Sequence, residues 1–218
     1  MQILEILPRN LNLPTGTEQR VILSDITWEQ YTTFIDSFVD EYPSLRVTYL
    51  EGILEIMSTS NQHEYLKKII ARLIEMYAVE KKIDLNGYGN TTFRDQLALR
   101  GLEPDECYCF GKLQQVPDIA LEVYLSSGGI DKLSVYAGLR IPEVWFWLVK
   151  KQQWQLYRLI DLSYQEISHS QLLPDLHFEL LAQFIQTITE TKNQTQAIIA
   201  YRNILRTETK TETRKESQ

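Results

Sequence analysis

The sequence predicts one α/β domain, and three features carry that expectation. A chain of 218 residues that is 44% hydrophobic and 11% aromatic can fill one sizeable core but is short for two. Helical and strand-like periodicities alternate along it. A strand-like run holding two carboxylates, Val116 to Val123, leads through a Gly-Gly turn into a short helix and then a further strand.

Residues 1–20, with Pro8, Pro14 and Gly16, read as a loosely structured arm leading into the apolar run Val21-Ile22-Leu23. Thr27 and Gln30 have the form of a capping box. Trp28, Tyr31, Phe34, Ile35 and Phe38 then recur at helical spacing up to a break at Pro43. Arg46 to Leu50 and Ile53 to Met57 flank Glu51-Gly52, the pattern of a hairpin with a two-residue turn. From Gln62 to Lys82, Tyr65, Ile69, Ile70, Leu73, Ile74 and Tyr77 define one face of a long amphipathic helix with a basic end. Glycines break the stretch from Leu85 to Phe110, leaving strand-like pieces at Thr91–Phe93 and Glu106–Phe110.

After the carboxylate-bearing strand, a turn through Ser126-Ser127-Gly128-Gly129 leads to Asp131 as N-cap and a helix from Lys132 to Leu139. Strands are expected at Glu143–Val149 and Trp154–Leu159, and helices at Leu176–Ile188 and Gln196–Leu205. Trp145 and Trp147 read as core or subunit contact. The domain thus spans 21–206, and 207–218, charged with no apolar anchor, reads as a disordered polar tail.

Composition narrows the function. The formal net charge of −7 argues against holding nucleic acid by broad phosphate neutralisation, yet suits an enzyme whose acidic pocket recruits divalent cations. No secretion signal or membrane span is visible, so a cytoplasmic location without membrane partners is expected. Cys107 and Cys109, two residues apart, share one face of a strand and read as reduced, half-buried thiols.

Asp105 opens one strand and Glu122 lies in the next. If these strands are neighbours, the two carboxylates meet, and hard cations such as Mg²⁺ want such oxygen ligands. Lys132, just past the Gly-Gly turn, is placed to bring an ammonium to the same point. Each residue also has a plainer reading: Pro-Asp is a common turn element, a strand Glu often faces water, and Lys132 and Asp131 suit a solvated first turn and its cap. Asp118 shares the strand face of Glu122 by alternation and stands as a second-rank candidate, while His169 and His177 sit outside any cluster.

The string PDIALEVYLSSGGIDKLSVYAGLRIPEVWFW resembles the Uma family of restriction endonucleases, within the PD-(D/E)XK nuclease superfamily. YLEGILEIMSTSNQHE at 49–64 and LEPDECYCFG at 102–111 match in the same order, and the resemblance covers roughly residues 21–160. It implies a restriction-endonuclease-like core, a mixed central β-sheet flanked by helices. It also implies Asp105 and Glu122 as metal ligands, with Lys132 as a catalytic lysine displaced onto the following helix. Tyr124 stands where a standard E-x-K would have its lysine, a departure the family shares. Many members carry a Glu four residues before the hairpin glycine, where this chain has Thr48. Glu51 and Glu55 are the nearest acids able to replace it, and His63 at the start of the long helix is a further pocket candidate.

The function these readings imply is a Mg²⁺- or Mn²⁺-dependent endonuclease hydrolysing DNA, acting as a homodimer because cutting both strands needs two sites. Two alternatives stay open: a catalytically silent binding or assembly module on the same fold, and a nuclease acting on RNA.

Overall fold

The computed structural model describes residues 18–38, 42, 45–125 and 128–216, with side chains described to Glu208 and excluding that of Phe38. The arm up to residue 17, the Pro43 break and Ser126-Ser127 lie outside the described residues. Among the described residues, eleven strands form two sheets. β1 (Arg20–Leu23), β2 (Leu45–Leu50), β3 (Ile53–Ser58), β5 (Phe93–Asp95) and β6 (Arg100–Leu102) make an antiparallel sheet in the order β1-β3-β2-β6-β5. The other sheet is mixed, in the order β11-β10-β9-β8-β7-β4. Its strands are β4 (Leu85–Gly87), β7 (Glu106–Phe110), β8 (Ile119–Tyr124), β9 (Glu143–Leu148), β10 (Gln153–Ile160) and β11 (Ser163–Ile167).

Five helices complete the described chain: α1 (Trp28–Phe38), α2 (Asn61–Lys81), α3 (Lys132–Leu139), α4 (Phe178–Thr191) and α5 (Gln194–Glu216). The mixed sheet flanked by helices is the expected one, and the antiparallel sheet stands beside it as a second layer.

Local chemistry explains where these elements start and turn. Thr27 N–H donates to Gln30 Oε1 at 2.8 Å and Gln30 N–H donates to Thr27 Oγ1 at 3.2 Å, so the reciprocal cap sets the start of α1. Between β2 and β3, Glu51 and Gly52 have φ of 45° and 93°, the pair of positive values that a tight two-residue hairpin demands. Helix α1 covers one face of the antiparallel sheet, with Tyr31 stacked on Tyr49 at 4.7 Å. Alternation sends Thr48 and its cross-strand partner Glu55 to the opposite face, where both are buried.

β8 and β9 are the one parallel pair among the described strands of the mixed sheet, and α3 lies between them in the chain, as a parallel crossover requires. Leu121, Val123, Trp145 and Trp147 pack on the face shared with α2, α4 and α5. Ala120, Val144 and Phe146 pack on the other face, against α3 and the antiparallel sheet. Both tryptophans are thus core, with Trp145 edge-on to Phe178 at 5.0 Å. The two cysteines are free and fully buried rather than half-buried.

Two boundaries differ from the sequence reading. Arg20, assigned to the arm, opens β1 opposite Met57 of β3. Helix α5 continues to Glu216 where a disordered tail was expected from residue 207. Tyr201 and Leu205 bury against the core, and a helix nucleated by such packing propagates cheaply through Glu, Lys and Arg, which are good helix formers. Among the described residues no helix is long and apolar enough to cross a membrane.

Candidate active site

β7 and β8 pair antiparallel with Glu106 opposite Leu121, so Asp105, one residue before β7, comes level with Glu122. Both carboxylates are removed from water, with 2% and 1% of their surface exposed. Burial of this kind costs several kcal/mol per charge unless each is paired, and each is. The backbone N–H of Val123 donates to Asp105 Oδ2 at 2.7 Å, and His63 Nε2 lies 3.0 Å from the same oxygen. Lys132 Nζ donates to Glu122 Oε2 at 2.6 Å, and the Tyr136 hydroxyl donates to Glu122 Oε1.

The two cations are held by helix starts. Ser60 caps α2 by accepting from His63 N–H at 3.1 Å, which fixes His63 in the first turn with its ring against Asp105. Asp131 caps α3 by accepting from Leu133 N–H at 3.1 Å, so Lys132 is the first helical residue. Tyr136 follows one turn later on the same helix face, and both side chains reach β8.

Electrostatics in the pocket follow from burial set against neighbours. For Asp105, burial pushes upward, but His63, Lys132 and the Val123 N–H outweigh it and hold the carboxyl below its usual range. For His63, burial works against the charged ring, yet Asp105 and Glu64 prevail and raise it to about 10. Burial opposes the Lys132 ammonium too, but Glu122, Tyr124 and Asp105 around it hold the lysine above its usual range. Glu122 is shifted upward by burial and by the Asp105 charge, against the pull of Lys132.

Glu55 forms a third corner. Its Oε2 accepts from Ile130 N–H at 2.9 Å and lies 3.2 Å from Arg20 Nε. The glycine turn passes so close that a Cβ on Gly129, whose φ is 98°, would sit 2.1 Å from that oxygen. Arg20, Glu55, His63, Asp105, Glu122 and Lys132 line one tight pocket, whose cavity volume of about 10 Å³ is that of a single water.

The structure therefore brings together Asp105, Glu122, Lys132, His63 and Glu55. It does not bring the other candidates there. Glu51 is exposed at the hairpin tip and pairs with Arg100 at 2.9 Å. Asp118 sits before β8, at the far end of the strand from Tyr124, where its Oδ2 accepts from Phe110 N–H at 2.8 Å and Gln114 Nε2 at 3.0 Å. Alternation gave Asp118 the right face, but four residues at the usual strand rise put it about 13 Å from Glu122. Asp131 is spent as a cap, and Ser134 Oγ also donates to it at 2.6 Å. Arg20 and Tyr136 were not singled out from the sequence. The spacing of four between Lys132 and Tyr136 was the available signal for the second, and nothing local marks the first.

The donor set suits a hard divalent cation: two level carboxylates in a closed pocket, both offering oxygen. Among the described residues no three His, Cys, Asp or Glu side chains converge as a ready-made ligand cluster, so water and substrate oxygens would complete the coordination of any ion held by Asp105 and Glu122.

No curated protein matches the chain. The family model described as "Uma2: Putative restriction endonuclease" matches residues 28–189, which include all five residues gathered in the pocket. The chain, with its mixed sheet, flanking helices and paired buried carboxylates, belongs to the Uma2 family of restriction-endonuclease-like nucleases.

Proposed function

We propose that the protein is a divalent-metal-dependent endonuclease that hydrolyses DNA phosphodiester bonds, with Asp105 and Glu122 holding Mg²⁺ or Mn²⁺ and Lys132 as the catalytic lysine. The observation that supports this most is the convergence, from separate elements, of Asp105, Glu122 and Lys132 in one buried pocket, with Lys132 Nζ 2.6 Å from Glu122. A bound metal supplies positive charge against the phosphate and makes a water more acidic.

The chain's own residues do the rest. Val123 N–H and His63 fix Asp105 in place, and Tyr136 fixes Glu122. Lys132, held charged by its neighbours, is a hydrogen-bond donor rather than a proton acceptor; it orients the attacking water or meets the charge that develops on the phosphoryl oxygens. Arg20, anchored by Glu55, adds a third cation at the rim. A homodimer belongs to the same proposal, since cutting both strands takes two sites.

One observation favours a second reading, a catalytically silent module: both carboxylates already carry side-chain cations, so the pocket is charge-satisfied without a metal. Calorimetry separates the two. The nuclease reading expects a Mn²⁺ isotherm for the native protein that vanishes in Glu122→Gln; no heat from the native protein, or the same heat from both, counts against it.

A further inference from the structure

A second groove adjoins the catalytic pocket and shares Tyr124, Gly128 and Lys132 with it. Its cavity volume is about 270 Å³, a little below the roughly 300–1,000 Å³ of clefts that enclose a whole drug-sized ligand and enough for one planar ring. Its floor is the face of the mixed sheet that carries Glu122. Phe146 is the register partner of Glu122 on one side and of Gln155 on the other. At about 5 Å between neighbouring strands, the aromatic floor begins one strand away from the carboxylate.

Three rings build that floor. Phe146 is nearly buried, with Tyr124 edge-on to it at 5.2 Å and 89°, and Tyr157 edge-on at 5.6 Å and 76°. Packing accounts for Phe146, which belongs to the core cluster beneath α3. It does not account for the open groove flanked by the two half-buried tyrosines. The half-buried Gln155 also lines this groove, and its amide carries both donors and an acceptor. Asp131, the one carboxylate among the lining residues, is occupied as the cap of α3.

We propose that this groove binds an unpaired nucleobase of the substrate strand next to the scissile phosphate, the Tyr124–Phe146–Tyr157 wall supplying the stacking surface and Gln155 a contact to the base edge. The proposal rests on the nuclease reading above and narrows its substrate to strands that are single, or locally opened, at the cut. The chemistry is that of proteins that grip single strands through aromatic faces, where one stacked base is worth roughly a tenfold change in affinity or more. With a net charge of −7, the protein has little general attraction for phosphate, so a stacking contact beside the site is the means of holding the strand in register.

The test is fluorescence anisotropy with a labelled single-stranded oligonucleotide in Ca²⁺, beside strands in which an abasic residue is walked through the sequence. The expected result is that native protein loses about tenfold in affinity when the abasic residue reaches one position, that Tyr157→Ala shows the weaker affinity with every strand, and that Tyr157→Phe, which keeps the ring, restores the discrimination. Equal binding of all strands by the native protein overturns the subsite, as does a Tyr157→Ala variant that changes only the sedimentation coefficient, which makes the groove an interface between copies. Because binding is read without cleavage, a protein that nicks plasmid yet ignores the abasic residue sinks this proposal alone, whereas stacking without nicking sinks the nuclease reading alone.

Discussion

Replacing Lys132 with Met strands a carboxylate. Glu122 is 1% exposed, and Lys132, itself 9% exposed, is the side-chain cation bonded to it at 2.6 Å. Removing one member of a buried pair costs about 3–5 kcal/mol, because the remaining charge loses its partner without regaining water. Tyr136 still donates to Oε1, and that bond to a charged group keeps about 1.5–3 kcal/mol of favourable interaction in place. The low end, about 3 kcal/mol, is therefore expected, a fall in Tm of about 6–12 °C for a chain of this size.

The partner change, Glu122→Gln, leaves Lys132 buried against an amide and costs a similar amount. The double substitution removes both charges and should cost about as much as either single change rather than their sum, a coupling of about 3 kcal/mol. Urea unfolding of the four proteins, followed by far-UV circular dichroism, measures the cycle. Additive single effects, or losses under about 0.5 kcal/mol, would refute the claim that the two charges compensate each other in a dry pocket.

Three further outcomes follow from the same geometry. Gly129→Ala puts a Cβ where Glu55 Oε2 stands and forces a positive φ on a residue with a side chain; it should cost about 1–2 kcal/mol and expose Glu55, and unchanged stability would contradict the close approach. Cys107 and Cys109 are fully buried, and burial raises the Cys107 thiol to about 12, so neither should react with a thiol reagent until urea unfolds the chain; rapid labelling of the native protein would count against this packing. Burial holds Tyr31, Tyr164 and Tyr201 above the ordinary phenol value of 10.0. Their contribution is complete below about pH 10 and is lost as pH rises past it toward the folded values, so the urea midpoint should fall as pH rises above about 10, and a flat midpoint there would argue otherwise.

Much of the framework was legible because local chemistry wrote it. Thr27 and Gln30 cap each other at the distances a capping box requires, Glu51-Gly52 takes the two positive φ values its turn needs, and α3 starts and ends on the residues its Asp cap and periodicity imply. The strands that escaped notice have no local signal. β4 and β6 are three residues each, Leu-Asn-Gly and Arg-Gly-Leu, and are strands only because β7 and β2 pair with them. β11 is polar and mostly exposed on a sheet edge.

The site divides in the same way. Spacing allowed Asp105 and Glu122 to meet if their strands were neighbours, and the register makes them so. That Lys132 runs back to Glu122 rather than out to water was one of two readings its place past the Gly-Gly turn allowed, and the resemblance favoured it. Glu51 and Glu55 were equal candidates in the sequence. The hairpin separates them by sending Glu55 inward opposite Thr48 and leaving Glu51 at the tip. Arg20 reaches Glu55 only through the pairing of β1 with β3, a contact across 35 residues that no local pattern encodes.

The central claim, hydrolysis of DNA at the Asp105–Glu122–Lys132 pocket, is tested most directly by incubating supercoiled plasmid with purified protein in EDTA, Mg²⁺ or Mn²⁺, with Asp105→Asn and Lys132→Ala in parallel. The account predicts nicking that needs the metal and falls at least about a hundredfold in both folded variants. No nicking by the folded native protein in either metal, or equal nicking by Asp105→Asn, would contradict it.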